Sequence, residues 1–142
     1  MPKRWLTISG AYTFSHFTYT DYVSHTYKGN LNGNFLPNSP GNQFYGDAVV
    51  QLPYNFSISV KGLVFSKAYI DPTNATWING YGLLGARAAK NFQYKNFYGS
   101  LFVAGANLNN TTYVAFTEPD PDGNSYQPGP GREIFGGIEV RF

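Results

Sequence analysis

The stretch that decides the fold is "REIFGGIEVRF", residues 132–142. One face of this stretch carries apolar residues and a glycine: Ile134, Gly136, Ile138, Val140 and Phe142. The opposite face carries Glu133, Glu139 and Arg141 among its residues. A period of two is that of a β-strand, whose successive side chains point to opposite faces. We therefore predict a strand that continues to Phe142.

The composition restricts the class of protein. Charged residues are 13% and aromatic residues 18% of the 142 residues, whereas about 25% of residues are charged in soluble domains. No apolar run approaches the roughly 20 residues of a transmembrane helix. These features fit either a soluble all-β domain or an outer-membrane β-barrel, whose strands alternate between lipid and lumen.

Charge, cysteine content and the first residues exclude further classes. The net charge of +2 is too small to indicate a nucleic-acid partner. The chain has no cysteine, so it has neither disulfides nor thiolate chemistry. The start "MPKRWLTISG" is basic but lacks the apolar segment of a signal peptide.

Alternation predicts an all-β fold, an antiparallel meander of about six long strands. The predicted strands cover residues 4–21, 43–52, 56–69, 80–93, 97–108 and 132–142. The fifth strand has apolar residues on both faces, so its orientation stays open. Asp47, Lys61, Lys67 and Arg87 are predicted on the face opposite the apolar one, because a charge facing hydrocarbon costs about 2–4 kcal/mol at mid-depth.

The connections between these strands alternate in length. "PYN" (53–55) and "YKNF" (94–97) are tight turns, whereas the other three connections are longer and rich in Gly, Asn and Pro. A transmembrane barrel has short turns on one side and long loops on the other. The predicted strands also reach the roughly 9–11 residues that cross a tilted bilayer. The pattern favours part of a transmembrane β-barrel.

Five segments together resemble the C-terminal end of a TonB-dependent outer-membrane receptor. "WLTISGAYTFSHFTYTDY" and "GNFLPNSPGNQFYGDAVVQLPY" resemble an upward strand and a G-x-x-L-P-x-x-P loop with its downward strand. "INGYGLLGARAAKNF" resembles a G-Y-x-L segment, and "VAGANLNNTTYVAF" a G-x-x-N-L-x-x-x-x-Y segment. "YQPGPGREIFGGIEVRF" resembles the closing signature P-x-P-G-R-x-x-x-x-G-x-x-x-x-F. The resemblance covers nearly all of residues 1–142.

The resemblance implies a barrel of 22 strands with an N-terminal plug in the outer membrane of a Gram-negative bacterium. Such receptors import ferric siderophores, haem, cobalamin or other metal chelates, energised through TonB. The implied partners are outer-membrane lipid, the plug and remaining barrel, TonB through the complete receptor, and the barrel-assembly machinery. That machinery reads a terminal strand, here Ile134, Ile138, Val140 and Phe142.

The sequence departs from a complete receptor. It contains no plug, no TonB-contacting segment and only about six strands, whereas closed single-chain membrane barrels need at least 8 strands. Unpaired edges cannot face lipid. We therefore expect a fragment, a split-gene product completed by another chain, or a chain that self-associates.

Two alternatives remain open. The first is a soluble all-β ligand-binding module, a sandwich or a lipocalin-like cup, whose apolar face would point into a core. The second is a small complete outer-membrane barrel with two strands inside the long loops. The direction in which the apolar face points distinguishes them.

No enzyme, cofactor or metal site is predicted. His16 and His25 have no neighbouring nucleophile in sequence, and the motifs of nucleotide and metal sites are absent. The oxygen-bearing run Glu118, Asp120, Asp122 and Asn124 could hold calcium, but a solvated turn is the favoured interpretation. The sequence does not identify the cargo. Residues predicted to contact a ligand lie on the long loops: Tyr27, Asn34, Trp77, Tyr113 and Tyr126.

Overall fold

The computed structural model describes residues 5–27, 29–95, 97–118, 123 and 125–141. The structure therefore does not describe Phe142 of the predicted assembly signal, nor Asp120, Asp122 and Asn124 of the possible calcium site. The described chain forms one antiparallel meander of six long strands in sequential order. Their bounds are β1 Leu6–Phe14, β2 Asn42–Leu52, β3 Phe56–Phe65, β4 Tyr81–Tyr94, β5 Phe97–Ala106 and β6 Glu133–Arg141.

The six strands confirm the predicted fold class, although β1, β3 and β5 end earlier than predicted. β3 ends at Phe65 rather than residue 69. The Ser66 N–H still donates to the Asn42 carbonyl (2.9 Å), but the Asn42 N–H donates to the Ser66 hydroxyl (3.0 Å) in place of a backbone carbonyl. β5 ends at Ala106 because Asn107 adopts a positive φ of 46°. β1 ends at Phe14, and beyond it only an isolated bridge joins Thr18 and Phe35.

Short turns and long loops emerge from opposite ends of the sheet, as predicted. Pro53–Asn55 forms a single 3-10 turn between β2 and β3. Tyr94 pairs with Phe97, which closes a tight hairpin between β4 and β5. The long loops contain short two-stranded hairpins that alternation did not predict: Val23–Ser24 with Gly29–Asn30, Ala68–Tyr69 with Trp77–Ile78, and Val114–Glu118 with Ser125–Pro128.

The register gives the sheet two chemically different faces. Ile8, Ala48, Val60 and Ala86 are aligned across β1 to β4, and Ile134 faces Gly105 at the other edge. The register also settles β5, whose Leu101 and Val103 share this apolar face with Ile138. Asp47, Lys61 and Arg87 lie on the other, polar face, as predicted. Lys67 does not, because β3 ends before it and places it in a loop.

Within the described residues, the sheet buries only two alanines among its apolar residues, one in β4 and one in β5. The large apolar-face side chains are exposed, for example Ile8 at 72% and Ile138 at 66%. The fully buried side chains, Ile70 and Thr117, lie in loops. Within the described residues, β1 and β6 are edge strands, each paired on one side only. The described residues also include no helix long and apolar enough to cross a membrane.

Candidate functional site

The candidate site is the layer formed by the described residues of the three long loops, 15–27, 29–41, 66–80, 107–118, 123 and 125–132. We call this layer the loop layer. The loops leave the same end of the sheet and are bonded to one another and to the strands beneath. Asparagine side chains make most of these connections, because an amide can donate and accept at once and so replace two backbone partners.

The first and second loops are joined by two asparagines. The backbone N–H of Phe35 donates to Asn74 Oδ1 (2.6 Å), and Asn74 Nδ2 donates back to the Phe35 carbonyl (2.9 Å). Asn34 Nδ2 donates to the Pro72 carbonyl (3.0 Å). The ring of Phe35 stacks on Tyr69, with centroids 5.7 Å apart. The two loops therefore form one packed unit.

Asn38 joins the first loop to the third. Its Nδ2 donates to the Thr117 carbonyl (3.0 Å), and the Thr117 hydroxyl donates to its Oδ1. The backbone N–H of Asn38 also donates to the Tyr69 carbonyl of the second loop (2.8 Å). Thr117 is 1% exposed whereas Asn38 is exposed, so the threonine end of this clasp is shielded from water, and a buried hydroxyl that loses its partner is costly.

Asp71 organises the second loop around its carboxylate. It accepts hydrogen bonds from the backbone N–H groups of Thr73 (2.9 Å), Thr76 (2.7 Å) and Ala75 (3.3 Å), and from the Thr73 hydroxyl. Burial opposes the ionised form, but these bonds outweigh it and hold the pKa of Asp71 below its usual 3.8. Asp71 is thus a charged structural group of the loop.

The third loop is anchored on the sheet by the residues of the segment "GANLNN". The backbone N–H of Leu108 donates to the Leu84 carbonyl (2.8 Å), and Asn109 bonds both Leu84 N–H (3.0 Å) and the Gly82 carbonyl (2.8 Å). These bonds continue the pairing of β4 where β5 has ended. Buried Asn107 holds the loop closed by donating to the Thr111 and Pro130 carbonyls (2.9 and 3.0 Å).

Aromatic contacts line the loop layer. Tyr113 stacks on Tyr81, with ring centroids 4.7 Å apart. Tyr19 stacks on Tyr22 at 5.0 Å. Burial raises the pKa of Tyr19, and the neighbouring Tyr22 and Tyr27 raise it further. The Tyr19 phenol therefore stays neutral at physiological pH.

A crevice of about 320 Å³ lies where the loop layer meets the polar face of the sheet. Gln43, Phe65 and Tyr81 come from the strands, and Asn38 and Val114 from the loops. The walls combine aromatic rings with amide groups. Such a surface suits a ligand with a planar ring and several hydrogen-bonding atoms.

The predicted ligand residues all lie in the loop layer, in different settings. Trp77 (52% exposed) and Tyr126 (51% exposed) present their rings to solvent. Tyr27, Asn34 and Tyr113 are half-buried, and the last two are already bonded or stacked within the layer. Ligand contact by these five residues stays a prediction. Sequence reasoning missed Asn38, Asn74 and Asn109, since asparagine in a loop signals a turn without naming its distant partner.

The remaining polar candidates have structural surroundings. His16 packs edge-on against Phe35, with ring centroids 5.2 Å apart. His25 is exposed in the first loop, and Glu118 ends a short strand. The described part of the chain contains no group of three or more His, Cys, Asp or Glu residues that could hold a metal ion.

Comparison with known proteins gives matches in structure. No family model and no curated protein matches the sequence. The crystal structure of BauA, the ferric preacinetobactin receptor of Acinetobacter baumannii, matches 98% of this chain with a TM-score of 0.75 and 20% identity. The ferric-catecholate import receptor Fiu of K12 E. coli matches 97% with a TM-score of 0.67 and 21% identity.

The chain spans about a fifth of the length of these receptors, 20% of BauA and 18% of Fiu. Both are TonB-dependent receptors, which is the resemblance that the sequence segments predicted. The exposed apolar face, the alternating connections and the structural match agree. The six-stranded sheet has the fold of part of a TonB-dependent receptor.

Proposed function

We propose that this chain is the C-terminal part of the barrel of a TonB-dependent receptor in the outer membrane of a Gram-negative bacterium. It contributes six strands of barrel wall, three external loops and the terminal strand. The complete receptor imports a scarce metal chelate. The observation that carries the proposal is the continuous exposed apolar face.

The apolar face supports contact with lipid. A monomeric soluble protein rarely exposes a contiguous apolar surface of more than a few hundred Å², yet here every strand adds exposed side chains to the same face. They include Ile8, Phe44, Val60, Leu84, Val103 and Ile138. A sandwich or lipocalin-like module would bury this face in a core, so the exposure disfavours that alternative.

Lys90 is a charged residue on the apolar face, and its side chain directs the ammonium group away from that face. It is aligned with Phe56 and Leu101 on the apolar face, at the short-turn end of the sheet. Its Nζ donates to the Tyr54 carbonyl in the turn and lies 4.5 Å from the Phe56 ring centroid. A long side chain that keeps its stem on apolar surface and turns its charge toward a polar boundary is typical of a membrane interface.

The edges and loops support a segment rather than a small complete barrel. The strands within the long loops have two to five residues, too few for the roughly 9–11 that cross a bilayer. Neither outer edge is paired within the described residues. The proposed partners of these edges are strands of the remaining barrel, or of another chain that completes it.

The loop layer is the proposed ligand side. The two matched receptors take ferric preacinetobactin and a ferric catecholate, so a ferric siderophore is our first candidate cargo. Trp77 and Tyr126 are the proposed contact residues with the greatest exposure. The plug and TonB act through the complete receptor, while Ile134, Ile138, Val140 and Phe142 are the proposed signal for the barrel-assembly machinery.

Neighbouring residues of β1 provide the test of the membrane assignment. These 142 residues contain no cysteine, so, once any cysteine elsewhere in the full-length protein is replaced by serine, Ile8→Cys and Ser9→Cys each introduce one thiol at adjacent positions on opposite faces. The variants are made in the full-length protein and labelled with bimane in membranes that contain brominated lipid. We expect brominated lipid to quench the label at position 8 and to leave position 9 unquenched. Equal quenching at both positions, or recovery of the protein outside the outer-membrane fraction, would contradict the proposal.

Loop substitutions test the cargo. We expect Trp77→Ala and Tyr126→Ala in the full-length receptor to lower uptake of a radiolabelled ferric catecholate about tenfold each, the effect of losing an aromatic contact with a bound ligand. Trp5→Ala is the matched control, because Trp5 is an exposed aromatic residue outside the loop layer. Unchanged uptake in both loop variants would remove these residues from the ligand site.

A further inference from the structure

A second cavity lies on the polar face at the opposite end of the sheet, next to the short turns. Its volume is about 290 Å³. Six polar side chains from β4, β5 and β6 line it: Arg87, Asn91, Tyr98, Ser100, Glu139 and Arg141. We call it the short-turn cavity. It shares no lining residue with the crevice beneath the loop layer.

The strand register builds this cavity. Asn91, Ser100 and Glu139 form one row across the three strands, and Tyr98 with Arg141 forms part of the next row. Side chains two positions apart on a strand share a face, so both rows project from the polar face. The rows place amide, hydroxyl and guanidinium groups side by side on rigid strands rather than on loops.

Ser100 is the unexplained group in the centre of the cavity. Its side chain is on the middle strand and only 8% exposed. Its hydroxyl is buried and has no hydrogen-bond partner among the described residues. Buried hydroxyls are almost always bonded, so a donor left in this position points to an acceptor that comes from outside the three strands.

The charges around Ser100 favour an anion. Arg87 donates to Glu139 (3.1 Å) while its guanidinium lies 4.3 Å from the Phe102 ring centroid. Arg87–Glu139 is the one ion pair among the described residues, and Arg141 takes no part in it. Two guanidinium groups and one carboxylate leave a single positive charge among the described residues that line the cavity.

We propose that the short-turn cavity binds a carboxylate, which accepts a hydrogen bond from Ser100 and pairs with Arg141. A planar carboxylate matches the guanidinium fork, and its single negative charge matches the single positive charge of the lining. The carboxylate is carried either by a small solute or by an acidic side chain of a polypeptide segment lying against the polar face. The same chemistry serves both sources.

Arginine modification tests this site. The full-length protein in detergent is treated with phenylglyoxal in sodium acetate or in sodium chloride of equal ionic strength, and adducts at each arginine are quantified by peptide mass spectrometry. For a solute source we expect acetate to slow modification of Arg141 about tenfold, while exposed Arg132 on the preceding loop reacts equally in both salts. Ser100→Ala should weaken the acetate protection about tenfold, because one hydrogen bond to a charged group is lost.

A cross-link distinguishes the polypeptide source. In that case Arg141 should react slowly in both salts, and Arg141→Lys treated with a carbodiimide should form an amide with an Asp or Glu outside residues 133–142. Gln51→Lys, at the short-turn end of β2 and also on the polar face, is the matched control and should not form this link. Rapid modification of Arg141 in both salts, or a link only to Glu139, would overturn the proposal. These experiments measure the reactivity and cross-links of residue 141, whereas the bimane test measures lipid contact of β1. The anion-site proposal can therefore fail while the membrane assignment holds, and the membrane assignment can fail while the anion-site proposal holds.

Discussion

The sheet and the loop layer of this chain are held together in opposite ways. The sheet is regular, with six strands in sequential register, but its large apolar side chains are exposed. The loop layer is irregular, but it holds the fully buried side chains Ile70 and Thr117 and the buried polar groups of Asp71 and Asn107. Regular secondary structure usually contains the buried core, but in this chain the irregular loop layer contains the fully buried side chains.

The difference indicates where each region gets its stability. Burial of apolar surface is the dominant favourable contribution to folding, and the sheet does not achieve it by itself. The sheet therefore depends on its surroundings, whereas the loop layer depends on contacts within the chain. Four substitutions test this contrast, each paired with a control where the chain offers one.

The largest effect is expected from a charge on the apolar face. Val60→Arg places a guanidinium near the middle of β3, and we expect it to lower the free energy of unfolding in lipid by about 2–4 kcal/mol. Ser57→Arg, on the polar face of the same strand, should change it by less than about 1 kcal/mol. Urea unfolding of the full-length protein in liposomes measures both. Equal losses would mean that the two faces have the same surroundings.

The junction between sheet and loops gives the next effect. A Cβ at Gly80 would lie 2.5 Å from the Phe65 carbonyl oxygen and 3.0 Å from the Ser66 carbonyl carbon, both backbone atoms. We expect Gly80→Ala to cost about 1–3 kcal/mol, because the end of β3 has to shift. Gly62→Ala is the control, since no atom lies within 4 Å of its added Cβ. Similar stabilities of the two variants in the same unfolding assay would contradict the close approach.

The clasp between the first and third loops gives a smaller and local effect. Thr117→Val keeps the shape of the side chain but removes the hydroxyl that donates to Asn38. We expect a loss of about 1–2 kcal/mol, seen as faster hydrogen exchange in residues 114–118 with unchanged exchange in β2 and β3. Thr112→Val, at an exposed position of the same loop, should exchange like the parent. Faster exchange throughout the sheet would show that the two regions are not independent.

The smallest effect is a pH dependence of the second loop. The folded pKa of Asp71 lies below its usual 3.8, so the ionised carboxylate stabilises the loop above that pH. This stability falls away as the pH drops through the lower, folded value. Hydrogen exchange at the amides of Thr73 and Thr76 should accelerate in that range, after correction for the intrinsic rate. Asp71→Asn should abolish the pH dependence, and an unaltered profile would contradict the assignment.

The same contrast explains how much the sequence could predict. Alternation predicted six strands and the faces of all but the fifth, because positions such as Ile138 and Val140 repeat one local rule and need no knowledge of distant residues. It overextended β3 because Ser66 and Lys67 continue the pattern, although the Asn42 N–H bonds the Ser66 hydroxyl rather than a backbone carbonyl. The orientation of β5 required its neighbours, since only the register places Val103 with Gly136 and Ala88.

The candidate site was less predictable. The exposed aromatic residues Trp77 and Tyr126 could be placed on loops from the surrounding Gly, Asn and Pro. The connections made by Asn34, Asn74 and Asn38 could not, because they depend on which loops meet above the sheet. The short-turn cavity was equally hidden, since Asn91, Ser100 and Glu139 come together only through the register of three strands.

The clasp of Asn38 and Thr117 also bears on the order of folding. Its two residues are 79 positions apart, whereas each pair of adjacent strands is consecutive in the meander. Closing a long segment costs more chain entropy than closing a hairpin, and contacts between distant residues slow folding. The hairpins can therefore pair one after another, whereas the clasp can form only after all of them have paired. We infer that the loop layer matures last, so that a chain with an incompletely paired sheet also lacks a finished loop layer.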